Sequence, residues 1–179
     1  TWCKIYDNFV KLNDETSTYI ERECQEVFRD GRRVMGVLCR GTDYVTLRPL
    51  GHPIQPTLEQ VFSLLKVKMK ELRMDYIYLA TEEKKIEERF KQEFPGKILI
   101  NKRSYYDNYY ENKCTYIREV NFERENDSYY KGLEYFSSIV ILSRCQALIG
   151  GNTGGSCAAM FMNNMKYEYT HLFDLGCYR

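Results

Sequence analysis

The sequence predicts an α/β fold, a Rossmann-like open parallel sheet flanked by helices. The first observation is that short apolar runs alternate with longer segments in which apolar residues recur at three- and four-residue steps. The second is that these short runs show no polar alternation, which is typical of strands covered by helices on both faces. The length of 179 residues suits a single domain over 1–179 and is short for two.

The first part of the chain is predicted to contain two helices and one strand. A helix over about 14–28 has a partial apolar face and ends at Asp30-Gly31. The apolar run 34–39 is a buried strand. After a loop rich in proline, Thr57 caps a second helix, and Gln60 completes a capping box. The apolar face of that helix consists of Leu58, Val61, Phe62, Leu65, Met69 and Leu72.

The rest of the chain repeats this alternation. Thr81 is predicted to cap a helix with Glu82 and Glu83 in its first turn, and Pro95-Gly96 ends that helix. The segment 102–127 is polar and predicts a long surface loop. Further strands are predicted over 76–80, 97–100, 147–149 and 169–175, helices over 130–143 and 156–162, and a tight turn over 150–155. Such alternation indicates βαβ units with right-handed crossovers.

Composition excludes several classes of protein. Lysine and arginine number 26 and aspartate and glutamate 25, so the net charge is +1 and a nucleic-acid binder is not expected. Hydrophobic residues make up 44%, which is too many for a disordered chain. No apolar run approaches the roughly 18 residues that a membrane span needs. No signal peptide is expected at Thr1, and since Thr1 is not a natural start, we expect a processed or partial chain.

The seven cysteines favour a reducing, cytoplasmic setting, with peripheral attachment to the inner face of a membrane as the alternative. Their number is odd and no CxxC or CxxH pair occurs, so neither a disulfide framework nor a zinc site is predicted. Cys39 and Cys157 lie in apolar segments, where cysteine behaves as a small hydrophobic residue. The sequence contains no Asp-x-Asp motif, and we expect no metal ion.

Unusual residues follow three of the predicted strands. Arg40-Gly-Thr-Asp-Tyr44 follows the first strand, Thr81-Glu-Glu83 follows the second, and Gly150-Gly-Asn-Thr-Gly-Gly-Ser156 follows the fourth. Open parallel sheets bind ligands beyond the carboxyl ends of their strands. We therefore expect these three segments to converge on one edge of the sheet.

The glycine-rich segment predicts an anion site. Its four glycines can take positive φ and let the backbone approach a ligand closely. The free amides at the start of the following helix would hold an anion, most naturally a phosphate. The pattern is not a P-loop, because GxxxxGK[ST] is absent. A strained turn with close helix–sheet packing is the alternative explanation.

Arg40 ends a buried strand, where an unpaired guanidinium would be costly. Its anionic partner is expected to be Asp43, three residues on, or a ligand. Guanidinium is the preferred group for bidentate phosphate binding. An Arg40–Asp43 ion pair that shapes the loop is the alternative, and both roles can hold together.

Weaker candidates remain. His52, in Gly-His-Pro-Ile, is one of two histidines, and a lone loop histidine is more often structural than catalytic. Glu82 and Glu83 can contact ribose hydroxyls, although carboxylates are ordinary in the first turn of a helix. His171 lies in a late strand and is interpreted as a structural residue.

Four segments in order resemble one enzyme family over about 33–174. Gly36-Val-Leu-Cys-Arg-Gly-Thr-Asp43 resembles the Gly-Val-His-x-Arg-Arg-Thr-Asp motif of α-1,6-fucosyltransferases, whose superfamily includes nodulation and protein O-fucosyltransferases. His52-Pro-Ile54 is similar to their His-Pro-Ile, and Tyr78-Leu-Ala-Thr-Glu-Glu83 to their Tyr-Leu-Ala-Thr-Asp-Asp. The segments 139–143 and 147–156 resemble their last motif, a helix leading to a nucleotide-contacting turn.

The resemblance implies the donor-binding half of a GT-B glycosyltransferase. It implies metal-independent transfer of fucose from GDP-fucose to a glycan, with inversion at the sugar carbon and no cofactor. Arg40 matches the essential arginine that contacts the diphosphate and stabilises the departing GDP. An acceptor domain of the same protein is expected upstream of Thr1. The residues implied around the nucleotide sugar are Arg40, Gly41, Asp43, His52, Thr81, Glu82, Glu83, Asn152, Thr153, Gly154, Gly155 and Ser156.

Three positions depart from the family pattern. Leu38 stands where the family has histidine, Gly41 where it has the second arginine, and Ser138 where its last motif has aspartate. Two other functions therefore stay open. One is a nucleotide- or phosphosugar-binding module without catalysis, and the other is a glycosyltransferase that uses a different nucleotide sugar.

Overall fold

The computed structural model describes residues 2–107 and 119–179. For Trp2, Asp7, Thr42 and Asp43, it describes the backbone and not the side chain.

A five-stranded parallel sheet forms the centre of the described fold. The strands are β1 (Val34–Cys39), β2 (Tyr76–Thr81), β3 (Ile98–Leu99), β4 (Ala147–Gly151) and β5 (Tyr169–Phe173). Their order across the sheet is β3-β2-β1-β4-β5, and every pairing is parallel. The chain therefore moves outward from β1 in one direction and then from β4 in the other. The predicted Rossmann-like parallel sheet is confirmed, and the strand order reverses between β1 and β4, where such folds form a ligand crevice.

Helices cover both faces of this sheet. The described α-helices are α1 (Trp2–Phe9), α2 (Asp14–Val27), α3 (Thr42–Thr46), α4 (Leu58–Glu71), α5 (Lys84–Glu93), α6 (Asp127–Arg144) and α7 (Gly154–Met162), with a short 3₁₀ turn at Arg29–Gly31. Helix α1 was not predicted from the sequence. None of the helices in the described part of the chain is long and apolar enough to cross a bilayer.

Two apolar clusters sandwich the sheet. One joins α4 and α5 to one face, and the other joins α2, α6 and α7 to the opposite face. All six residues of β1 are buried, as its unbroken apolar sequence predicts. The capping box of α4 is also confirmed: the Thr57 hydroxyl accepts from the Gln60 amide, and the Gln60 side chain accepts from the Thr57 amide.

The predicted helix start at Thr81 is wrong. Thr81 is the last residue of β2, Glu82 forms a bend, Glu83 is the N-cap residue, and α5 begins at Lys84. The carboxylate of Asp107 accepts hydrogen bonds from the amides of Lys84 at 2.7 Å and Lys85 at 3.0 Å. A residue more than twenty positions away thus caps α5, so no local sequence pattern marks the start of this helix.

The prediction about the glycine-rich turn is wrong in one respect. Gly150 and Gly151 are the last residues of β4, and α7 begins at Gly154. None of the four glycines in this segment has a positive φ; the described glycines that do are Gly31, Gly51, Gly96 and Gly176. Glycine is needed here for space: a Cβ at Gly150 would lie 3.1 Å from the Leu38 carbonyl oxygen. This close packing is the alternative that the sequence left open.

Candidate functional site at the carboxyl edge of the sheet

Three of the predicted site segments meet at the carboxyl edge of the sheet. Leu38 pairs with Gly150 across β1 and β4, and Cys39 pairs with Thr81 across β1 and β2. Arg40 therefore leaves β1 between the chain segments that leave β2 and β4. The expected convergence is observed, and it falls where the strand order reverses.

Arg40 is paired with an acidic residue that the sequence analysis assigned to the first turn of a helix. Its guanidinium forms an ion pair with the carboxylate of Glu82, and the two side chains are only 13% and 8% exposed. The guanidinium carbon also lies 4.7 Å from the centre of the Tyr44 ring. The sequence predicted Asp43 or a ligand as the partner, and the Asp43 side chain lies outside the described residues. Within the described residues Arg40 pairs with Glu82, which precedes α5 and is not part of its first turn.

The Glu83 side chain lies on the opposite side of Arg40 from the Glu82 side chain. It is buried, and its carboxylate lies 2.9 Å from the Lys85 ammonium group. A Cβ atom on Gly41 would collide with this carboxylate, since it would lie 2.6 Å from Cδ of Glu83. Gly41 thus leaves the space that Glu83 occupies.

The larger cavity beside Arg40 lies against α6, and we call it the α6 cavity. Its volume of about 400 Å³ is in the range of small-molecule sites. It is lined by Arg40, Glu82, Arg103, Ser104, Tyr106, Ser128, Lys131, Gly132, Glu134 and Tyr135. Its lining combines guanidinium groups, phenols and hydroxyls, all of which can donate hydrogen bonds to an anion.

The two tyrosines of the α6 cavity stay protonated at neutral pH. Burial, together with the nearby carboxylates of Glu134 and Glu82, raises the pKa of Tyr106 to about 12. Burial also raises the pKa of Tyr135, against a lowering by Arg40. Both phenols are therefore neutral and retain a proton to donate.

A second cavity lies on the opposite side of Arg40, against α4. It measures about 260 Å³, and its polar lining includes Gln55, Thr46, Glu83 and Lys85. Burial raises the pKa of the Cys39 thiol beside it to about 12, so this thiol is not a nucleophile at neutral pH. Arg40 lines both cavities and separates them.

The turn between β4 and α7 uses two of its predicted binding residues internally. The Thr153 hydroxyl accepts from the Ser156 amide at 3.4 Å, and the Ser156 hydroxyl donates to the Gly151 carbonyl at 2.7 Å. Both side chains are buried. Asn152 and Gly154 are exposed, and the first-turn amides of α7 have no partner within the helix, as at any helix start. The turn lines neither of the two cavities described above.

His52 is exposed and lines neither cavity. Its ring packs edge-on against Tyr44, with 5.1 Å between ring centres, and Tyr44 in turn covers Arg40. Among the side chains that the structure describes, Tyr44 therefore links His52 to Arg40.

Sequence reasoning missed Arg103, Tyr106 and Tyr135, which all line the α6 cavity. Arg103 and Tyr106 follow β3 in the predicted surface loop, and Tyr135 lies within α6. The one available signal was positional, because Arg103 comes shortly after a predicted strand, as Arg40 does. Ser138 lies beneath this group, in a small space that it shares with Arg40, Glu82 and Arg103.

Comparison with solved structures identifies proteins of similar fold. One is a NodZ α-1,6-fucosyltransferase co-crystallized with GDP, with a TM-score of 0.58 and 13% identity, covering 96% of this chain and 48% of that one. A second is POFUT1 in complex with GDP, with a TM-score of 0.59 and 9% identity, covering 98% of this chain and 50% of that one. The fucosyltransferase NodZ from Bradyrhizobium matches with a TM-score of 0.58 and 14% identity.

No protein-family model and no curated protein matches the sequence. The chain thus has the fold of part of a fucosyltransferase and spans about half the length of these structures. The resemblance inferred from the sequence motifs is confirmed at the level of fold.

Proposed function

We propose that this chain is the donor-binding domain of a fucosyltransferase-like glycosyltransferase of the GT-B type. In this proposal it binds GDP-fucose without a metal ion, and a further domain of the same protein binds a glycan acceptor in the cytoplasm. The observation that carries the proposal is the position of Arg40. It is a nearly buried guanidinium at the end of β1, beside the reversal of strand order, and it lines a cavity large enough for a nucleotide.

The chemistry of the proposed transfer explains the need for a fixed cation. An acceptor hydroxyl attacks the anomeric carbon of fucose from the face opposite the diphosphate and releases its proton to solvent, so configuration inverts. The bond from that carbon to the β-phosphate oxygen breaks, and its electron pair goes to GDP. Arg40 would stabilise the charge that grows on this leaving group, because a preorganised cation acts most strongly where charge develops.

Binding of GDP to the wild-type chain tests the proposal by isothermal titration calorimetry. We expect Arg40→Ala to weaken GDP binding about tenfold to a hundredfold, as expected for losing a charge-assisted contact. Arg89→Ala is the matched control, because Arg89 is an exposed arginine on α5 paired with Glu59. Absence of wild-type binding at millimolar GDP, or equal binding by Arg40→Ala, would contradict the proposal.

A nucleotide-binding module without catalysis is the second candidate. The observation that favours it is the buried carboxylate of Glu83 in the space beside Gly41, where the family resemblance expects a second arginine. Turnover of GDP-fucose by the protein with its acceptor domain separates the two candidates. Competition among GDP, UDP and ADP for the site tests the base, and preference for UDP would point to another sugar donor.

A further inference from the structure

We propose that Arg103 binds a phosphate of the donor together with Arg40, and so supplies the second guanidinium of this site from the end of β3. The inference rests on the proposed function and names a binding residue that the sequence motifs do not contain. Arg40 and Arg103 both line the α6 cavity, and both line the small space beneath it. A ligand that enters this cavity to reach one guanidinium therefore meets the other.

The charges of the cavity single out Arg103. Four of its five charged side chains already have partners of opposite charge: Arg40 and Glu82 pair with each other, Lys131 pairs with Asp127 at 3.2 Å, and Glu134 pairs with Arg124 at 2.5 Å. Arg103 forms no ion pair or hydrogen bond with any side chain or backbone group that the structure describes, and its Nε atom is buried without a partner. The three cations and two carboxylates of the lining leave an excess of one positive charge, which an anion would balance.

The buried Nε of Arg103 lowers the stability of the fold as long as no ligand accepts its hydrogen bond. A buried donor without an acceptor loses its hydrogen bond to water and gains nothing in return. A phosphate oxygen would satisfy that donor, and the planar guanidinium fork suits phosphate geometry. The neutral phenols of Tyr106 and Tyr135 line the same cavity and can donate hydrogen bonds to further oxygens.

The local structure also explains why the second cation is not at position 41. The carboxylate of Glu83 fills the space beside Gly41, so a side chain there has no room. An arginine that reaches the diphosphate must come from another strand end. Arg103 follows β3, which lies on the far side of β2 from β1, and it lines the α6 cavity with Arg40.

Calorimetry with the full chain tests the inference. We expect Arg103→Gln to weaken binding of GDP and of inorganic pyrophosphate about tenfold to a hundredfold, and to change guanosine binding less than about threefold. Guanosine lacks the phosphates, so this contrast separates a phosphate contact from a general effect on the fold. Arg89→Gln serves as the control on the outer face of α5 and should bind all three ligands as the wild type does.

Each outcome is decisive. If the wild type binds GDP and Arg103→Gln binds it equally well, the inference is overturned while the proposed function stands. If the wild type binds neither GDP nor pyrophosphate, the proposed function and the inference fail together. If Arg103→Gln folds poorly, Arg103→Lys replaces it as the test. Lysine keeps the positive charge but lacks the planar guanidinium and its Nε donor. GDP binding should then weaken by about threefold or more, without a matching loss of guanosine binding.

Discussion

Gly41 and Glu83 share one space at the carboxyl edge of the sheet. A Cβ atom on Gly41 would lie 2.6 Å from Cδ of Glu83, and the Glu83 side chain is only 4% exposed. The Glu83 carboxylate lies 2.9 Å from the Lys85 ammonium group, and moving it away from Gly41 would break this ion pair. The absence of a side chain at position 41 and the buried carboxylate at position 83 are therefore one structural feature.

We expect Gly41→Ala to lower the free energy of unfolding by about 1–3 kcal/mol, because the new methyl group forces a buried side chain to move. Chemical denaturation measures this cost. In the Glu83→Ala background the same substitution should cost much less, since the obstructing carboxylate is gone. A cost that stays the same in both backgrounds would show that Glu83 is not the obstruction.

Glu82 competes with any anion that binds Arg40. We expect Glu82→Gln to tighten GDP binding about threefold to tenfold, because it removes a negative charge from the α6 cavity while an amide oxygen can still accept from Arg40. Calorimetry at constant ionic strength measures the change. Glu59→Gln is the control, since Glu59 is an exposed carboxylate paired with Arg89. Weaker binding by Glu82→Gln would mean that Glu82 mainly holds Arg40 in place.

Much of the fold could be predicted because its signals are local. The buried run of β1 and the capping box of α4 depend on residues close together in sequence, and both are observed. Helix α1 was missed because its eight residues form only about two turns, too few for an apolar period to stand out. The start of α5 was misplaced because its cap, Asp107, comes from a distant loop.

The site was predicted only in part, because most of its contacts join residues that are far apart in the sequence. Arg40 stood out because it ends an apolar run, but its pairing with Glu82 depends on the register between β1 and β2. Arg103 lies in a polar segment, and its only signal is its position shortly after a predicted strand. Only the folded sheet brings its strand end to the cavity that Arg40 lines.

Neighbouring glycines at the start of α7 differ sharply in their surroundings. A Cβ on Gly155 would lie 3.0 Å from the Tyr135 hydroxyl and 3.2 Å from both Ile139 Cδ1 and Leu38 Cδ2, whereas a Cβ on Gly154 would meet no atom within 4 Å. We expect Gly155→Ala to lower the free energy of unfolding by about 1–3 kcal/mol. Gly154→Ala should be neutral or stabilise by up to about 1 kcal/mol. Thermal denaturation compares the pair, and equal effects would contradict the packing argument.

Glu87 makes stability depend on pH in the acid range. It is 2% exposed and accepts hydrogen bonds from Lys84 at 2.8 Å and from Tyr105, and it pairs with Lys91 at 2.5 Å. Burial alone would raise its pKa, but the hydrogen bonds from Lys84, Lys91 and Tyr105 outweigh burial and lower it. A carboxyl whose pKa is lower in the folded state stabilises the fold above its unfolded pKa and loses that contribution as the pH falls through the folded value.

We therefore expect Glu87→Gln to lower the free energy of unfolding by about 1–2 kcal/mol at pH 7, because three donors lose a charged acceptor. The difference from the wild type should shrink below about pH 4.3, the ordinary pKa of glutamate, as the wild-type carboxyl takes up a proton. Urea denaturation between pH 3 and pH 7 measures both. The exposed Glu88 on the same helix provides the control, and Glu88→Gln should stay within about 0.5 kcal/mol of the wild type throughout. A difference for Glu87→Gln that grows toward low pH would contradict the lowered pKa.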